Sequence, residues 1–119
     1  MATLQLLRQE NNGVVYTDPA KMDLTVRFRN TSSKKTLNSV PVVNSLSEII
    51  INDANPVTVG GVSAVDAVSV RLRMSGANES AARVAVLLHA LAEQMDTWVT
   101  EKVHSGFRPT TAPVIPAAA

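Results

Sequence analysis

Cysteine is absent from this chain of 119 residues, which excludes a disulfide framework, a thiolate metal site and a cysteine nucleophile. Stability therefore has to come from packing. Aromatic residues are almost as scarce, with one Trp, one Tyr and two Phe, and that shortage argues against the base-stacking platform of common RNA-binding modules. No apolar run reaches the roughly 18 residues of a membrane span, because Arg83 and His89 interrupt the best candidate. The opening MATLQLLRQENN lacks the charged-then-apolar layout of a secretory signal. These absences predict a soluble, non-secreted chain with no membrane partner, in which the glycosylation-type triplets at Asn30 and Asn78 are chance matches.

Catalytic chemistry is equally thin. His89 falls near the apolar stripe of a helical segment and His104 at its end, positions that suit core or capping roles better than catalysis. No histidine lies near a serine and an acid in a nucleophile motif, and no carboxylate cluster has metal-ligand spacing. Gly60-Gly61 lacks the lysine-serine or lysine-threonine pair of a phosphate loop. The chain is expected to be no enzyme and to need no cofactor, metal or small-molecule substrate.

What is present is one domain's worth of apolar residues, 45% of the chain, enough for a single small core. A chain this short buries a modest fraction of its surface, so sharing a core with a second copy would stabilise it. Net charge is only +1, but its distribution is uneven. Residues 78 to 104 carry Glu79, Glu93, Asp96 and Glu101 against Arg83 and Lys102, whereas residues 24 to 40 hold Arg27, Arg29, Lys34 and Lys35 with no acid.

Strand signals fill the front, from about residue 13 to 75. GVVYT is short and β-branched, closed by Asp18-Pro19. DLTVRFRN, residues 23 to 30, alternates strictly, with Leu24, Val26 and Phe28 on one face and Thr25, Arg27 and Arg29 on the other. NTSSKK reads as a polar turn and TLNSVPVVN as a weaker strand, with Pro41 marking an edge or bulge. SLSEIIIND reads as a further strand, ended by the cluster from Asn52 to Pro56. Gly60 and Gly61 then form a flexible loop or hairpin tip between Pro56 and Ala67. VSVRLRMS, residues 68 to 75, repeats the alternation, with Ser69, Arg71 and Arg73 opposite Val70, Leu72 and Met74.

From Asn78 the period changes. Asn78 is the expected N-cap, Glu79 suits the positive end of a helix dipole, and Ala81, Val84, Ala85, Leu88, Leu91, Ala92, Met95 and Trp98 or Val99 recur at helical spacing. The helical region runs to about residue 104, as one helix or two, and Ser105-Gly106 ends it. The tail from 105 to 119, with three prolines and three terminal alanines, reads as an extended arm or as partly disordered.

The pattern predicts an α+β fold, an antiparallel sheet followed by a C-terminal helix. One helix, about 10 Å across, cannot cover so wide a sheet, so the apolar face calls for a partner's helix, with Leu88, Leu91, Met95 and Trp98 as interface candidates. The opposite face carries the four arginines. Guanidinium pairs with phosphate bidentately and clustered cations release counterions on a polyanion, while the same arrangement on a half-buried strand is also ordinary solvated charge that blocks edge pairing.

This layout resembles the coat proteins of levivirus-like single-stranded RNA bacteriophages. The marks are Val14-Val15-Tyr16-Thr17-Asp18-Pro19, similar to the strand entry of one coat-protein branch, the run from Val68 to Gly76 into Asn78-Glu79-Ser80, and the Pro-, Thr- and Ala-containing tail from Gly106 to Ala119. The resemblance implies an intertwined dimer that assembles into an icosahedral shell around RNA, located in the virion and, during assembly, in the host cytoplasm. It implies RNA contacts at Arg27, Arg29, Arg71 and Arg73, with Thr25, Ser69, Lys34 and Lys35 beside them, and inter-dimer contacts at the loop holding Pro56, Gly60 and Gly61. Many members of that family also bind an RNA hairpin as translational repressors. The alternative from another class is a small cytosolic dimeric binding or regulatory module without nucleic acid, its arginines merely solvated.

Overall fold

A computed structural model describes residues 3–117. They fall into two compact units, residues 3–75 and 76–117. The first is built on a five-stranded sheet whose spatial order follows the chain: β1 (Gln5–Glu10), β2 (Gly13–Asp18), β3 (Lys21–Leu37), β4 (Val40–Val59) and β5 (Val62–Ala77). The second contains α1 (Ala81–Thr100), short 3-10 turns on either side of it, and the tail.

Strand β2 shows why the front of the chain pairs as it does. Val15 and Thr17 are buried, and the Thr17 hydroxyl donates to the carbonyls of Met22 at 3.2 Å and Leu24 at 3.0 Å. Its register places Val14 opposite Phe28, Val15 opposite Arg27 and Tyr16 opposite Val26. Directly opposed residues share a face, so Val14, Tyr16, Val26 and Phe28 form one apolar surface. Tyr16 and Phe28 meet edge to face, with ring centroids 6.0 Å apart. These rings, with Leu4 and Val26, line an open apolar groove of about 380 Å³.

Four boundaries differ from the sequence reading. The front end adds β1, which the polar QLLRQE does not advertise; it pairs with β2 through an irregularity between Leu6 and Arg8. NTSSKK is no turn, because β3 continues through it with an unbroken register, Ser33 opposite Asn44 and Lys35 opposite Val42. The turn falls at Asn38 and Ser39, both with positive φ, 47° and 67°, the conformation of a tight hairpin. The cluster from Asn52 to Pro56 does not end a strand either. The Lys21 ammonium bonds Asp53 and donates to the Ala54 carbonyl at 2.6 Å, while Asp53 also accepts from the Ala54 and Asn55 nitrogens at 2.9 Å. These local partners satisfy the polar groups while the backbone stays extended. The Lys21 hydrogen bond holds the Asp53 carboxyl below its ordinary range, and the same bond raises Lys21.

Pro56 therefore lies inside β4, and the expected loop from Pro56 to Ala67 is two strand ends joined at Gly60 and Gly61. Both glycines have left-handed φ, 58° and 77°, as a two-residue hairpin turn requires.

In the second unit α1 is one unbroken helix. Asn78 sits in the preceding 3-10 turn, and Ser80 occupies the cap position without a side-chain cap bond. The helix stops at Thr100, five residues before the expected Ser105-Gly106 stop, and Lys102 takes a left-handed conformation with φ 60°. Gly106, with φ 90°, closes a short 3-10 turn instead. The tail forms no strand among the described residues, and runs back along α1. Glu101 accepts from the amides of Thr110 at 2.5 Å and Thr111 at 3.1 Å, Gln94 brackets Val114, and Arg83 donates to the Pro116 carbonyl at 2.7 Å. Ala118 and Ala119 lie outside the described residues.

Candidate nucleic-acid interface

Register decides which cations share a surface. Thr25, Arg27 and Arg29 stand opposite Asn52, Ile50 and Glu48 of β4, and on the other side Arg27 and Arg29 stand opposite Val15 and Gly13 of β2. The Arg71 Nε lies 3.8 Å from Glu48, which puts Arg71 on the face of Arg29, and alternation carries Ser69 and Arg73 with it. With β4 between them, the two arginine columns stand about 10 Å apart, two inter-strand spacings. Arg8, opposite Val15 in β1, joins the same face. No periodic signal in QLLRQE marked it.

Lys35 shares this parity through the unbroken β3–β4 register, but Lys34 falls on the other parity, with Val26 and Phe28. The structure thus brings seven of the eight expected residues to one face and leaves Lys34 off it.

This face is not a bare cationic plane. Val15, Ile50 and Thr17, at 2%, 5% and 4% exposure, lie among the arginines, whose aliphatic stems can cover such neighbours while the guanidinium stays wet. Two carboxylates also stand on it. Glu10 takes Arg27 in a two-pronged pair, Nε to Oε1 at 3.2 Å and Nη2 to Oε2 at 3.3 Å, and reaches Arg8 at 3.6 Å. Glu48 takes Arg71. Among the described residues Arg29, Arg73 and Lys35 have no carboxylate within 4.0 Å. Sequence reading missed Glu10 and Glu48 because each pairs across the sheet, Glu10 with a residue 17 positions away.

The remaining candidates lie elsewhere. Gly60 and Gly61 occupy an exposed hairpin tip flanked by Val59 and Val62, at 68% and 66% exposure. On α1, Leu88 and Met95 are exposed and Leu91 and Trp98 half-buried. His89 is solvent-facing and pairs with Glu93 at 3.0 Å one helical turn on, a surface contact rather than the core position expected. His104 is exposed in the 3-10 turn. Among the described residues no group of three or more His, Asp or Glu is placed to hold a metal ion, and no helix is long and apolar enough to cross a membrane.

No family model matches the chain, and no curated protein does. Solved structures do. The chain is similar to a chain of the virus-like particle of bacteriophage PQ-465, with a TM-score of 0.85 over 100% of this chain and 99% of that one, at 24% identity. It has the fold of that chain. The likeness extends to the virus-like particle of bacteriophage ESE001, TM-score 0.67, 17% identity, 99% and 100% covered. It reaches that of Beihai levi-like virus 32, TM-score 0.55, 14% identity, 98% and 94% covered. The expected α+β order of antiparallel sheet then C-terminal helix is met.

Proposed function

We propose that this chain is the coat protein of a levivirus-like RNA bacteriophage, dimerising, closing into an icosahedral shell and packaging single-stranded RNA against the arginine face of its sheet. The observation that carries this reading is the end-to-end likeness to a chain of the PQ-465 virus-like particle, over 100% of this chain and 99% of that one.

The surfaces of both units support it. Phe28 and Ile51, on the apolar side of the sheet, are 38% and 39% exposed, and Leu87, Leu88, Met95 and Val99 on α1 are 36% to 58% exposed. Apolar side chains clustered in this way mark surfaces that another chain covers. A partner's Leu88, Leu91, Met95 and Trp98 would have the bulk to fill the groove beside Tyr16 and Phe28. On this reading the opposite face would offer its cations to a polyanion, and the exposed hairpin tip at Gly60-Gly61 would make the contacts between dimers. On this reading the protein works in the virion, reaches it through the host cytoplasm, and performs no catalysis.

The test is electron microscopy of the protein expressed alone in bacteria, with the ultraviolet absorbance ratio measured on the same size-exclusion fraction. Closed particles rich in nucleic acid are expected. A small species free of nucleic acid would overturn the proposal and return the arginines to the role of solvated charge.

A further inference from the structure

The four arginines of the sheet are not equivalent. Glu10, Gly13, Arg29 and Glu48 lie in one row across β1 to β4, so Arg29 has a glutamate of its own row on either side. Neither binds it. Glu10 leans to Arg27 and Arg8, and Glu48 to Arg71. Gly13, with no side chain, fills the place between Arg29 and Glu10, and leaves the guanidinium of Arg29 unobstructed on that side.

The two ion pairs differ in kind. Arg27 and Glu10 are each about one-third exposed and meet through two contacts. Glu48 is only 14% exposed beside an Arg71 that is 62% exposed. If a phosphate drew Arg71 away, a largely covered carboxylate would lose its cation, a costly exchange. Arg29, Arg73 and Lys35 face no such competition.

We infer that phosphate contacts on this sheet fall to Arg29, Arg73 and Lys35, with Arg27 and Arg71 retained in internal ion pairs, so that Glu10 and Glu48 set how many cations the face offers to single-stranded nucleic acid. The inference rests on the packaging role proposed above. It assigns the two glutamates a specific part: they limit the strength of a sequence-independent attachment.

Salt dependence reads the number of phosphate contacts, each contributing about 0.7 to the slope of log affinity against log salt for a single strand. Full-length protein freed of nucleic acid is titrated with a fluorescein-labelled oligouridylate at several salt concentrations, and each variant is melted in parallel. Arg29→Ser and Arg73→Ser are each expected to lower the slope by about 0.7. Arg27→Ser and Arg71→Ser should leave the slope in place, lowering affinity only through the carboxylate each sets free. Where Arg27→Ser unfolds, Arg27→Gln keeps a stem beside Val15 and takes its place. Glu48→Gln should raise the slope by about 0.7 by releasing Arg71. A slope lost equally at all four arginines, or unchanged in Glu48→Gln, would overturn the assignment. A wild-type affinity that ignores salt would instead sink the packaging role itself, a result separable from the first.

Discussion

Gln94 holds Val114 from both sides of its peptide: the Gln94 Oε1 accepts from the Val114 amide at 2.6 Å and its Nε2 donates to the Val114 carbonyl at 3.0 Å. A side-chain amide thus does what a neighbouring strand would do for the tail. The same Nε2 donates to the Ala90 carbonyl at 2.7 Å, which fixes the side chain to its own helix before the tail arrives. Gln94→Ala removes all three bonds. The expected result is loss of about 1 kcal/mol from tail docking, since exposed hydrogen bonds have small net values. Amide exchange at Val114 should then accelerate several-fold while exchange inside the sheet stays unchanged. An unaltered Val114 rate would mean that the prolines alone hold the tail.

The second anchor titrates. Thr111, through its side chain and its amide, and Thr110 through its amide, hold the Glu101 carboxyl below its ordinary value of 4.5. The docked state therefore prefers the ionised acid. Its contribution is fully present above about pH 4.5 and is lost as pH falls through the lowered value. Exchange or chemical-shift measurements at Thr110 and Thr111 across an acid titration should show protection lost only on the acid side, and Glu101→Gln should flatten that transition. A transition centred above the ordinary glutamate value would contradict the hydrogen-bond geometry.

Alternation made the centre of the sheet legible, because DLTVRFRN places apolar and basic residues on opposite parities that the registers of β3 with β2 and β4 preserve. The helix was legible for the analogous reason of period. Polar stretches were not: NTSSKK and the cluster from Asn52 to Pro56 look like turns, and the strand character of the first comes with cross-strand partners such as Ser47, which donates to Asn30 at 2.9 Å. The tail's course depends on Arg83, Gln94 and Glu101, which share one side of the helical segment at 3.6 residues per turn but are polar side chains of the kind that any solvated helix face carries. At the candidate site, parity grouped the arginines correctly, but their pairing with Glu10 and Glu48 depends on a register that no local stretch encodes.

Three residues other than glycine have left-handed backbone, and two of them, unlike Asn38, are of types that adopt it at a cost. Ser39, with φ 67°, shares the β3–β4 turn with Asn38, and Lys102, with φ 60°, ends the helical segment. Left-handed backbone costs an ordinary residue roughly 1–2 kcal/mol, and glycine returns about 0.4–1 kcal/mol of that through a freer unfolded chain. Ser39→Gly, which creates the Asn-Gly pair preferred in such turns, and Lys102→Gly should each stabilise by about 0.5–1 kcal/mol on this balance. Urea midpoints of the two variants and of the double variant check this. The sites lie in different units, so the effects should add.

Glycines 13 and 60 are required for different reasons, and substitution separates them. A Cβ at Gly13 would stand 1.8 Å from the Phe28 carbonyl oxygen and 2.9 Å from its carbon, backbone atoms of the central strand that cannot move without disturbing the β2–β3 ladder. At Gly60 a Cβ would meet nothing within 4 Å, and the obstacle is the φ of 58°. Gly13→Ala should therefore destabilise by about 1–3 kcal/mol or more, as overpacking does. Gly13→Asn should be worse still, because a larger side chain adds to the same clash. Gly60→Ala should cost roughly 1–2 kcal/mol, but Gly60→Asn should recover most of it, since asparagine tolerates left-handed backbone. The four melting temperatures form the test. If asparagine rescued position 13 and failed at position 60, the constraint at the first would be conformational and at the second spatial, the reverse of what the backbone geometry requires.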